Sequence, residues 1–334
     1  MRLGPLRRIV PRPVRLQASA FLARRRSGRL ARELAAMAAS GQPIVAGPWL
    51  GEVGFELLYW APFLAWFAER FDVGPERLLV LSRGGTASWY RPFAARYADA
   101  FDQVSPETFK IEHDARVGDI GEQKQTRVTA FDRDLLAVAT RDAGLRQWHL
   151  LHPSAMYDVL NPFWWGHLPI EWVQRHARYR KLEPPAPVDI PPLPASYVAV
   201  KFYFNDCFPA TPANRTWVGK KLAALAGQGP VVALNTGIRV DDHDTCRIDD
   251  HGVMHLPEGI PPSRNLQVQT AVVAGAREFV GTYGGFSYLA PLHGVPSTAY
   301  YADPNGFSRK HLAVAHAALE SIGAPGLLKV NALD

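Results

Sequence analysis

The chain has 334 residues, of which 47% are hydrophobic, 20% charged and 11% aromatic, and its formal net charge is +6. This composition excludes a disordered tail protein, a collagen-like repeat and a small disulfide-stabilised scaffold, and the length predicts about two domains. The positive charge is confined to residues 1–40, which hold ten Arg and one acidic residue, Glu33, so the rest of the chain is slightly acidic. On charge grounds the body is therefore not expected to bind nucleic acid.

Within this basic extension, residues 15–39 are rich in helix formers and mix leucines with arginines, which predicts an amphipathic helix interrupted near Ser27 and Gly28. Two interpretations stay open. Residues 1–38 dock on an anionic membrane surface, or they form a solvated extension or a helix packed on the body. The sequence shows neither a membrane-spanning apolar run nor the apolar region of a secretory signal, so we expect a cytoplasmic protein, at most peripheral at the inner membrane.

Residues 41–182 form the first predicted domain, in which short apolar strands alternate with helices. A glycine-bearing turn over 47–54 follows the first strand, and a second such turn over 83–86 follows the next strand. This alternation is typical of a parallel sheet covered by helices on both faces. The predicted strands are 43–46, 77–82 and 148–151, and the predicted helices are 55–71 and 134–142.

Residues 183–195 are so rich in proline that they can continue neither a helix nor a central strand, which predicts a semi-rigid linker. The alternation of strands and helices then resumes in a second domain, residues 196–334. We therefore predict an α/β fold of two Rossmann-like parallel-sheet domains facing a cleft, the default place for a ligand. The predicted strands are 197–202, 230–235, 278–281 and 297–301, and the predicted helices are 216–227, 266–276, 286–293 and 311–322.

The segment 278–296 carries the strongest chemical signal, because a strand leads through two glycines directly into a helix. Free amides at a helix start, together with the positive end of its dipole, suit a phosphate, and glycine lets the phosphate approach the backbone. A tight turn with close strand–helix packing would produce the same pattern. The residues that we expect to bind the donor here are Thr282, Tyr283, Gly284, Gly285 and Ser287.

This segment resembles the donor-site motif of two-domain (GT-B) glycosyltransferases, especially lipopolysaccharide heptosyltransferases, which is approximately D-[ST]-G-x-x-H-L-A-x-x-x-G-x-P. The chain departs from the motif at Tyr283, in place of the acidic residue, and at Tyr288, in place of the His. The C-terminal halves of fucosyltransferases are similar more loosely. The resemblance implies a nucleotide sugar as substrate and neither a cofactor nor a metal. The matching residues are Gly285, Leu289, Ala290, Gly294 and Pro296.

In that family the first strand of the N-terminal half ends in a glycine followed by an acid, the general base for the acceptor hydroxyl. Glu52, between Gly51 and Gly54, occupies the equivalent place here. A carboxylate in a partly dehydrated cleft can accept a proton near neutral pH. The alternative is that Glu52 caps the following helix. Glu56, four residues later, is a second candidate for the base.

Cationic side chains are expected where strands of the second domain end, because a leaving diphosphate develops negative charge there. Lys201 ends the strand 197–202 and is the first candidate, with a surface lysine as the alternative. The segment after the next strand supplies further candidate donor-binding residues, and Arg215 has a weaker basis. The residues of that segment are Asn235, Thr236, Gly237 and Arg239.

Two D-x-D spacings, Asp132–Asp134 and Asp242–Asp244, are used by metal-dependent glycosyltransferases of another fold. Here they fall at a predicted helix start and in a charged loop, so no metal is expected. Cys207 and Cys246 have no zinc spacing and are expected to be ordinary thiols in a reducing compartment.

Taken together, these patterns predict a glycosyltransferase that transfers a sugar from a nucleotide-activated donor to a glycan or glycolipid acceptor in cell-surface polysaccharide synthesis. Two alternatives stay open. The first is a non-catalytic binding module of glycosyltransferase-like fold. The second is a sugar-nucleotide epimerase of the same architecture.

Overall fold

Two parallel β-sheets form the framework of the protein, as seen in a computed structural model that describes residues 28–120, 124–236, 238, 244–245 and 252–333. Strands before the proline-rich segment form one sheet, and strands after it form the other. The predicted α/β class with two parallel sheets is confirmed. Residues 183–195 contain neither helix nor strand.

The first sheet has four parallel strands in the order β3-β2-β1-β4. Every residue of β1 and β2 is buried, as expected for strands covered on both faces. The three predicted strands of this domain are confirmed, each beginning one residue later than predicted. The strands are β1 (Ile44–Ala46), β2 (Leu78–Ser82), β3 (Arg96–Asp99) and β4 (His149–Leu151). The helices are α1 (28–39), α2 (Val53–Phe55), α3 (Ala61–Arg70), α4 (Ala87–Tyr90), α5 (Pro106–Ile120), α6 (Ala130–Asp142), α7 (Pro153–Trp164) and α8 (Glu171–Arg175).

The second sheet has six parallel strands in the order β12-β11-β10-β5-β7-β9. Its four predicted strands and four predicted helices are all present. A short antiparallel pair, β6 and β8, lies beside the sheet. The strands are β5 (Val198–Lys201), β6 (Tyr203–Phe204), β7 (Val231–Ala233), β8 (Asp244–Thr245), β9 (Val253–His255), β10 (Glu278–Thr282), β11 (Ser297–Tyr301) and β12 (Leu328–Ala332). The helices are α9 (Pro212–Ala226), α10 (Asn265–Gly275), α11 (Gly285–Leu292) and α12 (Arg309–Ser321).

The helix predicted at 55–71 is interrupted by one π-helical segment, Glu56–Trp60, between α2 and α3. Pro62 has no N–H to donate to the carbonyl of Leu58, so the regular ladder is broken there. The Tyr179 hydroxyl donates to that carbonyl instead, at 3.0 Å. The N–H of Ala61 bonds to the carbonyl of Glu56, five residues back.

The two halves contact each other directly through α2, the π-helical segment, α11 and α12. One continuous apolar core contains Trp60 of the first half and Leu289 of the second. The Tyr59 hydroxyl lies 2.6 Å from Nδ1 of His311, and Lys310 donates to the carbonyl of Trp164 at 2.7 Å. The start of α12 is therefore anchored on the first half, which fixes the two sheets relative to each other.

The end of the basic extension is part of the folded body. In α1, Leu34 and Ala38 are only 1% and 7% exposed and belong to the core, and Arg77 donates to the carbonyl of Ala38 at 2.8 Å. For residues 28–39 this favours the packed-helix interpretation. Residues 1–27 lie outside the described residues. Among the described helices, none has the length and apolar character needed to cross a membrane.

Candidate active site

A cavity lies between the two halves where the carboxyl ends of strands from both sheets meet, which is the usual ligand site of open α/β sheets. Its wall in the first half comes from the turn after β1 and from the ends of β2 and β3. Its wall in the second half comes from the ends of β5, β7 and β10 and from α10. The lining residues are Glu52, Val53, Gly54, Arg83, Phe101, Lys201, Tyr203, Asn205, Asn235, Thr236, Ile238, Asn265, Leu266, Gln269, Gly284, Gly285 and Phe286.

Glu52 lies half-buried in this wall and is the single carboxylate among the described lining residues. Its backbone is extended, with φ −69° and ψ 148°, and its carbonyl accepts the N–H of Glu56 at 3.0 Å to begin the helix. Within the described residues, its side chain does not bond to the amides of that helix. The carboxylate therefore does not cap α2 through a hydrogen bond.

Glu56 lies in the interior and does not line the cavity. It is fully buried, and its Oε1 accepts hydrogen bonds from the hydroxyls of Ser82 at 2.6 Å, Tyr90 at 2.5 Å and Thr86 at 3.3 Å. Its Oε2 accepts one from Nη1 of Arg83 at 3.2 Å. Burial raises the pKa of Glu56, while Arg83 and the three hydroxyls oppose that shift. Glu56 is therefore a buried hydrogen-bond partner of Arg83 and does not share the cavity with Glu52.

Lys201 lines the cavity from the second half and is held by a chain of polar contacts. Its ammonium donates to Oε1 of Gln269 and lies 4.0 Å from the centre of the Phe286 ring. The amide of Gln269 donates to Oδ1 of Asn265 at 2.8 Å, and the hydroxyl of Thr236 donates to the same oxygen at 2.7 Å. This network orients Lys201 and brings the predicted Thr236 to the same wall, with Asn235 beside it.

The predicted donor loop reaches the cavity through its two glycines. Gly284 has φ +154° and ψ −154°, and a side chain there would overlap the Tyr203 hydroxyl, so this position requires glycine. The Ser287 hydroxyl donates to the carbonyl of Gly284 at 2.7 Å and accepts its N–H at 3.1 Å. Ser287 is buried, and its two hydrogen bonds stabilise the turn at Gly284. The α11 helix begins at Gly285, so the positive end of its dipole lies at the cavity.

Thr282 and Tyr283 do not line the cavity. The hydroxyl of Thr282 accepts the backbone N–H of Tyr203 at 3.1 Å and donates to its carbonyl at 2.8 Å, which joins β10 to β6. Tyr283 and Tyr288, which replace the acid and the histidine of the family motif, are both buried and pack edge to face with ring centres 5.6 Å apart. They form an internal aromatic pair where the motif has an acid and a histidine.

Several other predicted residues lie outside the described residues: Gly237, Arg239, Cys246 and the first two residues of Asp242–Asp244. Arg215 lies over the Phe204 ring at 4.4 Å and does not line the cavity. Asp132 is buried and caps α6, while Asp134 is exposed, so their carboxylates do not converge. No group of three potential metal ligands occurs among the described residues.

The lining residues that the sequence analysis does not assign include Arg83, Asn265 and Gln269. A signal was available for Arg83, because it directly follows β2 and therefore lies at the carboxyl edge of a parallel strand. No comparable signal marks Asn265 and Gln269. Their role depends on α10 packing beside Lys201, which is a tertiary contact.

Comparison with known proteins gives matches among solved structures. No protein-family model and no curated protein matches the chain. The E. coli heptosyltransferase WaaC with ADP is 12% identical, with 88% of this chain and 93% of that chain covered and a TM-score of 0.44. E. coli ADP-heptose LPS heptosyltransferase II is 11% identical, with 88% of this chain and 91% of that chain covered and a TM-score of 0.43. The chain resembles heptosyltransferases.

A further match is the iron-containing dodecameric glycosyltransferase TibC from enterotoxigenic E. coli H10407, at 13% identity and a TM-score of 0.40. This match covers 80% of the present chain but only 60% of TibC. These matches, at 11–13% identity and TM-scores of 0.40–0.44, include heptosyltransferases, the family that the motif at 283–296 resembles.

Proposed function

We propose that the protein is a glycosyltransferase that transfers a sugar from a nucleotide-activated donor to a hydroxyl of a glycan or glycolipid acceptor in cell-surface polysaccharide synthesis. The observation that carries the proposal is one cavity with Glu52 in the wall of the first half and Lys201 and the Gly284–Gly285 turn in the wall of the second. A base and an anion site that face each other are what glycosyl transfer to a hydroxyl requires.

In this mechanism the acceptor oxygen attacks the anomeric carbon while the bond from that carbon to the diphosphate oxygen breaks. Glu52 takes the proton of the acceptor hydroxyl, and the electron pair of the broken bond stays on the diphosphate. Lys201 stabilises the negative charge that develops there, assisted by the start of α11. The donor is a substrate, and the proposal includes neither a cofactor nor a metal.

Nucleotide sugars with ADP, GDP, UDP and CDP head groups test this function when they are screened by thermal shift and then by product analysis. We expect one of them to raise the melting temperature, because a ligand of the folded state stabilises it. We also expect slow release of the nucleoside diphosphate by donor hydrolysis. Binding without release would favour the binding module, and a changed sugar on an intact nucleotide would identify an epimerase.

We also propose that residues 1–27 bring the enzyme to an anionic membrane surface, since they contain eight Arg and no acidic residue. Deletion of residues 1–27, which leaves α1 and its core residue Leu34 in place, should give a folded protein that no longer sediments with vesicles containing phosphatidylglycerol. The full-length protein should sediment with them at low salt and dissociate at high salt. Failure of the full-length protein to bind at low salt would refute the proposal.

A further inference from the structure

Arg83 is a buried cation in the wall of the cavity. Its side chain is 4% exposed, and the residue directly follows β2 in the first half of the protein. Among the described residues it has two partners. Nη1 donates to Oε2 of Glu56 at 3.2 Å, and Nη2 donates to the carbonyl of Gly51. A guanidinium has five N–H donors, so these two contacts use only part of its capacity.

The contacts of Glu56 indicate that Arg83 does more than neutralise it. An arginine paired with a carboxylate frequently forms two parallel hydrogen bonds to it. Arg83 instead forms a single bond, which is longer than the bonds that Ser82 and Tyr90 form to the same carboxylate. The three hydroxyls already satisfy Oε1, and Arg83 divides its donors between Glu56 and Gly51. Glu56 and the carbonyl of Gly51 therefore hold the guanidinium in position, and Arg83 remains part of the cavity wall.

The charges of the cavity point to the group that Arg83 binds. Its described lining residues include two cations, Arg83 from the first half and Lys201 from the second, and one carboxylate, Glu52. A diphosphate carries more than one negative charge and has oxygens on two phosphorus atoms, so it can be bound by both cations at once. The planar guanidinium is especially suited to two oxygens of one phosphate group.

We propose that Arg83 is a ligand of the donor diphosphate, which then bridges the two halves between Arg83 and Lys201, and that Glu56 is the residue that positions Arg83. The inference rests on the proposed function. It adds a contact from the first half of the protein to a site whose other donor residues belong to the second. Donor binding then stabilises the arrangement in which Glu52 faces the sugar.

The test is the binding of ADP, GDP, UDP, CDP and inorganic pyrophosphate to a double variant, measured by isothermal titration calorimetry. Arg83→Gln alone leaves Glu56 as an uncompensated buried charge, which impairs folding. The double variant Arg83→Gln/Glu56→Gln removes both charges and keeps hydrogen-bonding side chains at both positions. We expect it to fold and to bind the preferred diphosphate at least tenfold more weakly than the native protein.

Two further variants make the result specific. Arg91→Gln removes the same charge from an exposed site outside this cavity, and we expect it to bind diphosphates normally. Arg83→Lys keeps the charge but loses the planar fork, and we expect a loss of several-fold.

Normal diphosphate affinity in a folded double variant would overturn the inference and leave Arg83 as the counter-ion of Glu56 alone. It would leave the proposed function intact, because the native protein would still bind the donor. Failure of the native protein to bind any of these diphosphates would refute both proposals.

Discussion

Glu52→Gln should lower the turnover of sugar transfer by about 10²–10⁴-fold, the usual contribution of a general base. Glutamine keeps the size and hydrogen-bonding capacity of the side chain but cannot accept the acceptor proton. Donor affinity should stay within a few-fold of normal, because the diphosphate is bound by other residues. The measurement is the rate of product formation at saturating donor and acceptor, with the donor dissociation constant determined separately.

The same substitution at Glu76, an exposed residue that does not line the cavity, is the matched control and should leave turnover unchanged. A thermal unfolding curve completes the comparison. Since the Glu52 side chain forms no capping hydrogen bond to α2, Glu52→Gln removes no such bond, and we expect the melting temperature to change by no more than about two degrees. Near-normal turnover in Glu52→Gln would show that another group accepts the proton.

Much of the fold was predictable because the buried strands carry short apolar runs. β2 and β10 are mostly buried and were located to within one residue. The edge strands β3, β9 and β12 are absent from the sequence prediction, because they are partly exposed and lack the long apolar runs of the buried strands. The helices α5 and α7 are also absent from the sequence prediction, and α7 contains Pro162 near its end. Pairing with a neighbouring strand or helix, rather than local sequence, determines these elements.

The candidate site could be predicted where it depends on strand ends and glycines, as for Glu52, Lys201 and Gly284. Sequence spacing failed for Glu56. Glu56 lies four positions after Glu52, a spacing that would put both side chains on one face of a regular helix. Glu52, however, is extended and precedes the helix, and the π-helical segment begins at Glu56. The two carboxylates consequently point to different surroundings, one to the cavity and one to the interior.

The contact between the two halves gives a second prediction of large effect, because two glycines meet there. Gly54 of α2 faces Gly285 at the start of α11, and a Cβ atom placed on Gly54 would lie 3.4 Å from the backbone of Gly285. A Cβ on Gly285 would lie 2.7 Å from the amide nitrogen of Gly54 and 2.8 Å from two side-chain carbons of Val53. The distances of 2.7 and 2.8 Å from a Cβ on Gly285 are too short for a real contact. The absence of side chains at these two positions therefore determines how closely α11 approaches α2.

Gly285→Val should push the start of α11 away from α2 and widen the cavity between Glu52 and Lys201. We expect donor affinity to fall at least tenfold, or about 1.4 kcal/mol. Turnover should fall further, by about 100-fold, since a displacement of about 1 Å between reacting groups can have that effect. The control is Gly219→Val in α9, where a Cβ meets nothing within 4 Å. Donor affinity is measured by calorimetry and turnover by the rate of product formation, both on folded Gly285→Val and Gly219→Val proteins. A Gly285→Val protein that binds donor and turns over like Gly219→Val would show that this contact does not determine the geometry of the site.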